Sequence, residues 1–529
     1  MPHCQQMGIC YYARMRTKNF LLLVVLSSAS VAIAQQPTPI VNVTGGQIRG
    51  LLAADGGAAF KGIPYARPPV GDLRWREPQA IEPWEGVREA KTFSIACTQL
   101  PEGWNDRFGP TSGEDCLYLN VATPEWPPKS KHAVLVWIHG GSNLSGDGDD
   151  AGFDERTLVH HGLVLVTINY RLGALGFLVH PELDKESAHH TSGNYGLMDQ
   201  LAALRWVREN IEGFGGDPEN VTAAGESAGA FDISWLMTSP QAKGLFHRAI
   251  GESGAVPIFH EPRTNESAAV LTEKLAAREK APEKGAIAFL RTIPAMTILK
   301  EMKLATEGAR TNLQTTLDGW VLPEIPSKVF AEGRSMAIPL LLGSNSLEIQ
   351  GPVEPADVRA AIRKEYGKES ERAVELYGLK GDGIGKLDPL YGGPGIQWFT
   401  DFLFRCPTTE EVLAHSSAGH AAYQYEFQQP KPGEQYTSHA SELSFLFGTW
   451  GKEVKLSPMD VKVSEQMQAY WANFARTGDP NGEGLPVWPK FTKEAQGYMA
   501  FTNTGAVAKT GLRREYCDVW RAAKENPQK

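Results

Sequence analysis

A serine flanked by glycines stands at residues 225–229, where the chain reads Gly-Glu-Ser-Ala-Gly. It lies between a short strand pattern over residues 220–225 and an alanine-rich segment typical of a helix. A strand-to-helix turn this tight brings backbone segments together, so a Cβ atom at either flanking position would clash. The turn holds the serine oxygen outward, at a helix start whose amides favour developing negative charge. The pattern therefore predicts that Ser227 is a nucleophile on a strand-turn-helix element.

Continuous apolar segments alternate with helical patterns along the rest of the chain. Buried strands are predicted over residues 133–138, 163–169, 339–343 and 421–427, a helix over 198–211, and a short hairpin over 41–51. Residues 60–75 are rich in Pro and Gly, which predicts a surface loop. Residues 261–302 and 353–379 predict surface helices inserted around the core. Together these patterns indicate an α/β fold, with a large, mostly parallel central sheet flanked by helices.

The N-terminus has the pattern of an export signal. Basic residues precede an apolar stretch from Phe20 to Leu26, and small residues follow as far as Ala34. This predicts a signal peptide over residues 1–34, a catalytic domain over 35–529, and a secreted or periplasmic protein. A buried N-terminal helix is the alternative. No later segment predicts a membrane span.

A serine needs a base to become a good nucleophile. In α/β-hydrolases the acid and the histidine follow the serine in that order along the chain. Glu348 follows the predicted strand 339–343, and His439 follows the predicted strand 421–427, both in loops. Chain order alone leaves His415, His420 and many carboxylates equally eligible.

Two longer motifs carry a resemblance to a known family. Residues 114–120 read EDCLYLN, and residues 214–222 read FGGDPENVT and lead into the serine motif. Further blocks lie at residues 60–75, 169–177, 192–200 and 471–481. The chain resembles the type-B carboxylesterase/cholinesterase family of α/β-hydrolases over almost its whole mature length. The resemblance implies the α/β-hydrolase fold with helical insertions over the active site, and an esterase with a small-molecule ester substrate.

The resemblance also assigns roles to individual residues. It implies Ser227 as nucleophile, His439 as general base and Glu348 as the acid that orients the histidine. It implies no cofactor and no metal. Glu226 and Ser253 lie where family members place polar groups that support the triad. Two ion pairs, Arg74 with Glu114 and Arg171 with Asp199, resemble structural pairs of the family.

Four cysteines follow the predicted signal peptide. From the residues alone, three pairings or four free thiols are possible. The resemblance implies one disulfide between Cys97 and Cys116 and another between Cys406 and Cys517.

The chain departs from the family at the expected oxyanion loop. Family members carry three glycines and then an aromatic residue, whereas residues 139–143 read His-Gly-Gly-Ser-Asn. The oxyanion hole is expected to use the amides of Gly141, Ser142 and Ala228. Asn143 and Phe231 are expected at the pocket wall, and Asp232 is more charged than the residues common there. The polar Ser142-Asn143 pair favours a substrate with additional polar groups.

Other functions are compatible with the same motifs. They are a non-catalytic binding protein of this fold, hydrolysis of amides or carbonates, and acyl transfer to an alcohol. The net charge of -9, without long runs of like charge, gives no indication of nucleic-acid binding. The oligomeric state does not follow from the sequence.

Overall fold

Alternating side chains of the inner strands enter two separate cores. The computed structural model describes residues 40–149, 155–256, 262–306, 315–385, 387–451 and 453–525. Along the strand His132–Ile138, Val134, Val136 and Ile138 pack into one core, whereas Leu135 and Trp137 pack into the other. A strand that buries both faces needs a continuous apolar sequence, which is the pattern seen here.

The strands and helices follow one another along the whole described chain. The strands are β1 (Val41–Val43), β2 (Gly46–Arg49), β3 (Leu51–Leu52), β4 (Ala58–Pro64), β5 (Val87–Glu89), β6 (Tyr118–Thr123), β7 (His132–Ile138), β8 (Val164–Ile168), β9 (Gly216–Glu226), β10 (Arg248–Glu252), β11 (Arg263–Thr264), β12 (Thr316–Leu317), β13 (Leu340–Asn345), β14 (Ala422–Phe427), β15 (Gly497–Thr502) and β16 (Gly505–Thr510). The helices are α1 (Glu155–His160), α2 (Gly173–Phe177), α3 (Pro181–Glu186), α4 (Tyr195–Asn210), α5 (Ala228–Leu236), α6 (Asn265–Arg278), α7 (Ala286–Arg291), α8 (Ala295–Ala305), α9 (Pro326–Ala331), α10 (Pro355–Tyr366), α11 (Ser370–Leu376), α12 (Pro394–Thr400), α13 (Cys406–Ser417), α14 (Leu443–Phe447), α15 (Pro458–Thr477) and α16 (Arg514–Glu525). A π-helical turn, Asp401–Arg405, joins α12 to α13.

The central sheet has 11 strands in the order β16-β15-β14-β13-β10-β9-β7-β8-β6-β4-β3. The run from β15 to β8 is parallel throughout. Antiparallel pairs occur only towards the two edges of this sheet. The prediction of a large, mostly parallel sheet flanked by helices is confirmed. Because parallel strands end at the same edge, the loops after β7, β9, β13 and β14 lie close together.

The surface loop predicted over residues 60–75 is wrong in its first part. Residues 58–64 form β4, which pairs with β6 and buries Phe60 and Ile63 completely. The pairing is irregular between Phe60 and Ile63, and Gly62 has a φ of +68° there. A glycine in a strand is typical of such a bulge, so this glycine interrupts the pairing without ending the strand. Trp75, at the end of the segment, is buried and donates to the Ala174 carbonyl at 2.8 Å.

The other predicted elements are present. β1 and β2 form the predicted hairpin, and α4 covers the predicted helix. α6, α7 and α8 lie in the first helical insertion and α10 and α11 in the second. α8 packs on α2, where Leu299 approaches Gly173 beside the loop that follows β7.

Both implied disulfides are confirmed, Cys97 with Cys116 and Cys406 with Cys517. They span 19 and 111 residues along the chain. Closing loops of these lengths in the unfolded chain corresponds to roughly 3 and roughly 4–5 kcal/mol of stability in the chain-entropy treatment.

The two implied ion pairs are also present. Arg74 Nε lies 2.6 Å from Glu114, and Arg171 Nε lies 2.7 Å from Asp199. No helix among the described residues is long and apolar enough to cross a bilayer. The predicted signal peptide, residues 1–34, lies outside the described residues.

Candidate active site

Ser227 occupies the sharp turn between β9 and α5. Its φ and ψ are 53° and -119°, a conformation that few non-glycine residues adopt. The Ser227 amide donates to the Glu252 carbonyl at 2.8 Å, which ties the turn to the end of β10. The turn is therefore fixed by the neighbouring strand as well as by its own helix.

Two glycines allow this turn to approach β7. A Cβ atom on Gly229 would lie 2.0 Å from the Ile138 carbonyl oxygen, and one on Gly225 would lie 2.6 Å from the same oxygen. Both distances are well below a van der Waals contact. The glycines of the pentapeptide are therefore required by close backbone packing, as the sequence pattern predicts.

The structure brings Ser227, His439 and Glu348 into one hydrogen-bonded line. His439 Nε2 lies 2.9 Å from Ser227 Oγ, and His439 Nδ1 lies 2.7 Å from Glu348 Oε2. Glu348 follows β13 and His439 follows β14, so the parallel sheet delivers both loops to the end of β9. The carboxylate is buried, and the imidazole keeps 24% of its side-chain surface exposed. In this arrangement the serine hydroxyl can pass its proton to an imidazole that is already oriented by an acid.

Besides the histidine, two groups hold the Glu348 carboxylate and a third holds the Glu348 backbone. Its Oε1 accepts from the Asn345 amide at 2.6 Å and from Ser253 Oγ at 2.7 Å. The Glu348 amide donates to Thr400 Oγ1 at 3.2 Å, next to the π-helical turn. Sequence analysis predicted the contact of Ser253 but missed Asn345 and Thr400. The position of Asn345 at the end of β13, three residues before the acid, is a signal that could have identified it.

Two further carboxylates lie beside the triad. Glu226 Oε1 lies 3.1 Å from His439 Nε2, as expected for a supporting residue. Burial by itself lowers the pKa of His439, but the charges of Glu226 and Glu348 outweigh it and raise the pKa to about 9. Glu442 is buried and accepts from Asn345 Nδ2 at 2.7 Å. Burial, together with the charge of Glu348, raises the pKa of Glu442 to about 7.

The loop after β7 carries amides that are available for an anion. Gly141, Ser142 and Asn143 have φ values of 105°, 59° and 56°. In the part of the chain that the structure describes, the amides of Gly141, Ser142 and Ala228 have no hydrogen-bond acceptor. A Cβ atom on Gly140 would lie 3.0 Å from Ser227 Cβ, so this loop runs directly beside the serine. Free amides beside a nucleophile are the arrangement that stabilises an oxyanion.

The two predicted pocket residues have different environments. The side chain of Asn143 is buried and donates to Asp232 Oδ1 at 2.9 Å, and its place at the pocket wall stays a prediction. Phe231, on α5, is partly buried and lies next to the ring of Trp235. It stays a predicted pocket residue.

The two alternative histidines are remote from Ser227 in their contacts. His415 is buried on α13, where its Nε2 lies 2.8 Å from the Ile338 carbonyl. The His420 ring lies 4.7 Å from that of His415. Within the described residues, no group of three or more His, Cys, Asp or Glu side chains is arranged to hold a metal ion.

The glycine contact at β7 gives a prediction about folding. We expect Gly229→Ala to lower the free energy of unfolding by about 3 kcal/mol, because the new Cβ atom would overlap the Ile138 carbonyl. Gly393→Ala is the matched control, since Gly393 has a φ of -76° and open space around it. Chemical denaturation of both variants tests this, and equal midpoints would contradict it.

Comparison with known proteins agrees with this geometry. A sequence model described as the carboxylesterase family matches residues 37–377 and 395–520. The chain is 33% identical to liver carboxylesterase 1F of Rattus norvegicus, over 96% of this chain and 98% of the relative. It is 35% identical to para-nitrobenzyl esterase of Bacillus subtilis, over 86% of this chain and 93% of the relative.

Solved structures give the same result. A PNB esterase structure superposes with a TM-score of 0.79 at 33% identity, covering 91% of this chain and 99% of that chain. A carboxylesterase from Geobacillus stearothermophilus superposes with a TM-score of 0.77 at 31% identity, with the same coverage. The match extends over the whole sheet and the loops that carry the site, and the chain therefore belongs to the carboxylesterase family.

Proposed function

We propose that this carboxylesterase cleaves its ester with Ser227 as nucleophile, His439 as general base and Glu348 as the orienting acid. The observation that carries the proposal is the continuous line from Ser227 Oγ through both ring nitrogens of His439 to Glu348, with contacts of 2.9 and 2.7 Å. A non-catalytic binding protein has no need of this geometry.

The reaction follows from the positions of these groups. Ser227 Oγ attacks the ester carbonyl while His439 Nε2 takes the hydroxyl proton. The carbonyl oxygen becomes an oxyanion that accepts from the amides of Gly141, Ser142 and Ala228. The bond to the alcohol then breaks, and His439 returns the proton to the departing alkoxide. Water attacks the acyl-serine in the same way and releases the carboxylic acid.

Glu348 stabilises the imidazolium that forms in each half-reaction. Its carboxylate accepts from Nδ1 and fixes the tautomer that leaves Nε2 free to accept the serine proton. Because Asn345 and Ser253 hold the other carboxylate oxygen, the acid does not have to reorganise as charge develops.

Replacement of the nucleophile tests the proposed mechanism directly. We expect Ser227→Ala to lower kcat for a short-chain aryl ester by at least about 10⁴-fold, because the acyl-serine cannot form. The wild type is expected to be labelled by a fluorophosphonate probe and the variant is not. Ser438→Ala, which alters a serine of the histidine loop outside the triad, is the matched control. Undiminished turnover in Ser227→Ala would contradict the assignment.

The competing reactions have separate readouts. If the fluorophosphonate probe labels the protein but esters are not turned over, a different acyl substrate is favoured. Assays with an amide and with a carbonate would then identify its class. Product analysis in the presence of a competing alcohol distinguishes transfer to alcohol from hydrolysis. The exposed side chain of Ser142 in the oxyanion loop supports a preference for polar esters, and kinetics that favour simple fatty esters would contradict it.

The pH dependence of the reaction tests the charges around His439. Only neutral His439 accepts the serine proton, so kcat/KM should rise with pH as the imidazolium loses its proton, near the raised pKa of about 9. Glu226→Gln removes one charge that stabilises the imidazolium, which lowers the pKa of His439 and moves the rising limb to lower pH. Glu219→Gln, with 73% of its side chain exposed, is the control. If the rising limb of the pH profile stays in place or moves to higher pH in Glu226→Gln, this electrostatic role of Glu226 is excluded.

We also propose that the protein is exported through the N-terminal segment and that residues 1–34 are removed. The two disulfides support an oxidising compartment, since such bonds rarely persist in a reducing one. Intact-mass measurement of the exported protein is expected to give a chain that begins at Gln35. Retention of the apolar stretch Phe20–Leu26 in the mature protein would contradict the cleavage.

A further inference from the structure

Two of the positions that depart from the family bond to each other in the interior. Asn143 Nδ2 donates to Asp232 Oδ1 at 2.9 Å, although 89 residues separate them. Asp232 has no exposed surface and lies on α5, five residues after Ser227. The contact therefore joins the helix that begins at the nucleophile to the loop that follows β7.

The loop that follows β7 has an unfavourable backbone conformation at two residues. Ser142 and Asn143 both have positive φ, a region that residues with a side chain rarely occupy. Two carbonyls of the loop are occupied, since Gly141 accepts from the amides of Leu144 and Ser145, and Asn143 accepts from the Gly173 amide at 2.7 Å. The amides of Gly141 and Ser142 are left free by this arrangement.

The oxyanion hole has two halves on different segments. Ala228 supplies its amide from α5, whereas Gly141 and Ser142 supply theirs from the loop. Asp232 and Asn143 are the side chains that connect these two segments by a direct hydrogen bond. We propose that Asp232, acting through Asn143, is a positioning residue that sets the distance and orientation between the two halves of the oxyanion hole. This inference rests on the proposed function, because it presumes that Ser227 forms an oxyanion there.

Two neighbours complete the contact. Gln200 Nε2 donates to the second oxygen of Asp232. The Tyr170 hydroxyl lies 3.0 Å from Asn143 Oδ1 and 2.8 Å from the His139 carbonyl, so it holds both ends of the loop. These contacts include no cation, and burial raises the pKa of Asp232 to about 7. A buried carboxyl group without a cationic partner reduces stability unless its hydrogen bonds compensate, which indicates a role other than simple packing.

The test removes the Asp232 oxygen that accepts the hydrogen bond from Asn143, and a second variant then restores an acceptor at the same position. We expect Asp232→Ala to lower kcat for p-nitrophenyl acetate by about tenfold or more, less than the 10²–10³-fold of losing a donor outright. KM should change by less than about threefold. The inhibition constant of an aryl trifluoromethyl ketone, which forms an oxyanion on the serine, should rise by the same factor as kcat falls.

Asp232→Asn is the conservative rescue. Its amide oxygen still accepts from Asn143. Its amide nitrogen can donate to Gln200 Oε1 once the Gln200 side-chain amide turns over, because Gln200 Nε2 faces that position and Oε1 has no partner in the described part of the chain. We therefore expect kcat and the inhibition constant within about threefold of wild type. Asn143→Gly is the second disruptive variant, since glycine adopts the positive φ without strain and removes the contact from the loop side. It keeps the test available if Asp232→Ala does not fold.

The control separates positioning from stability. Tyr470→Phe on α15 removes a part-buried hydrogen bond of 2.6 Å to the Pro486 carbonyl, so it should lower the melting temperature and leave kcat and the inhibition constant unchanged. Disruptive variants that lower only the melting temperature would overturn the inference, as would a loss in Asp232→Asn equal to that in Asp232→Ala. Loss of turnover in Ser227→Ala supports the proposed function whether or not the Asp232 variants behave as expected. The proposed function and this inference can therefore fail separately.

Discussion

The close contact between the end of β7 and the start of α5 determines the rest of the site. The Ile138 carbonyl occupies the space where side chains at positions 225 and 229 would begin. Because the chain leaves β7 at this carbonyl, the same contact brings the loop of residues 139–143 beside Ser227. The nucleophile and the free amides therefore share one backbone contact. Any shift of α5 away from β7 changes both together.

The electrostatics of the site depend on buried carboxylates from different segments. Glu226, Glu348 and Glu442 act on one imidazole, and Glu252 lies behind them next to Glu442. Burial raises the pKa of Glu252 and Glu442. Hydrogen-bond donors partly offset the free-energy cost of burying these carboxylates, since Trp471 Nε1 lies 2.9 Å from Glu252 and Asn345 Nδ2 lies 2.7 Å from Glu442. Such an environment favours a positive charge on the histidine, which is the species formed when the serine proton is transferred.

The sequence predicted the inner strands β7, β8, β9, β13 and β14 and the Ser227 turn because local patterns determine them, but it did not identify β10 between β9 and β13. Continuous apolar runs are needed where both faces of a strand are covered, and a tight turn needs glycines. The strands near the two edges of the sheet were harder to predict from sequence. β4 contains a glycine bulge, and sequence analysis did not identify β15 and β16.

The partners of the serine depended on more than local pattern. Chain order left three histidines eligible, and only the family resemblance selected His439. The direction of the Asn143 side chain depends on Asp232, 89 positions away, and no local pattern carries that information. Contacts of this kind arise from the tertiary fold, so a single sequence without its structure does not contain them in readable form.

The sheet order has a consequence for synthesis. β7, β8, β9 and β10 are complete by residue 252, so the strands around the serine can pair while the later chain is still being made. His439 follows Ser227 by 212 residues, which corresponds to roughly 10–40 s of translation. In the first part of that interval, until β13 is complete at residue 345, β10 has an unpaired edge where β13 will join. A nascent chain thus exposes a strand edge able to pair with other polypeptides before it holds a base for its nucleophile.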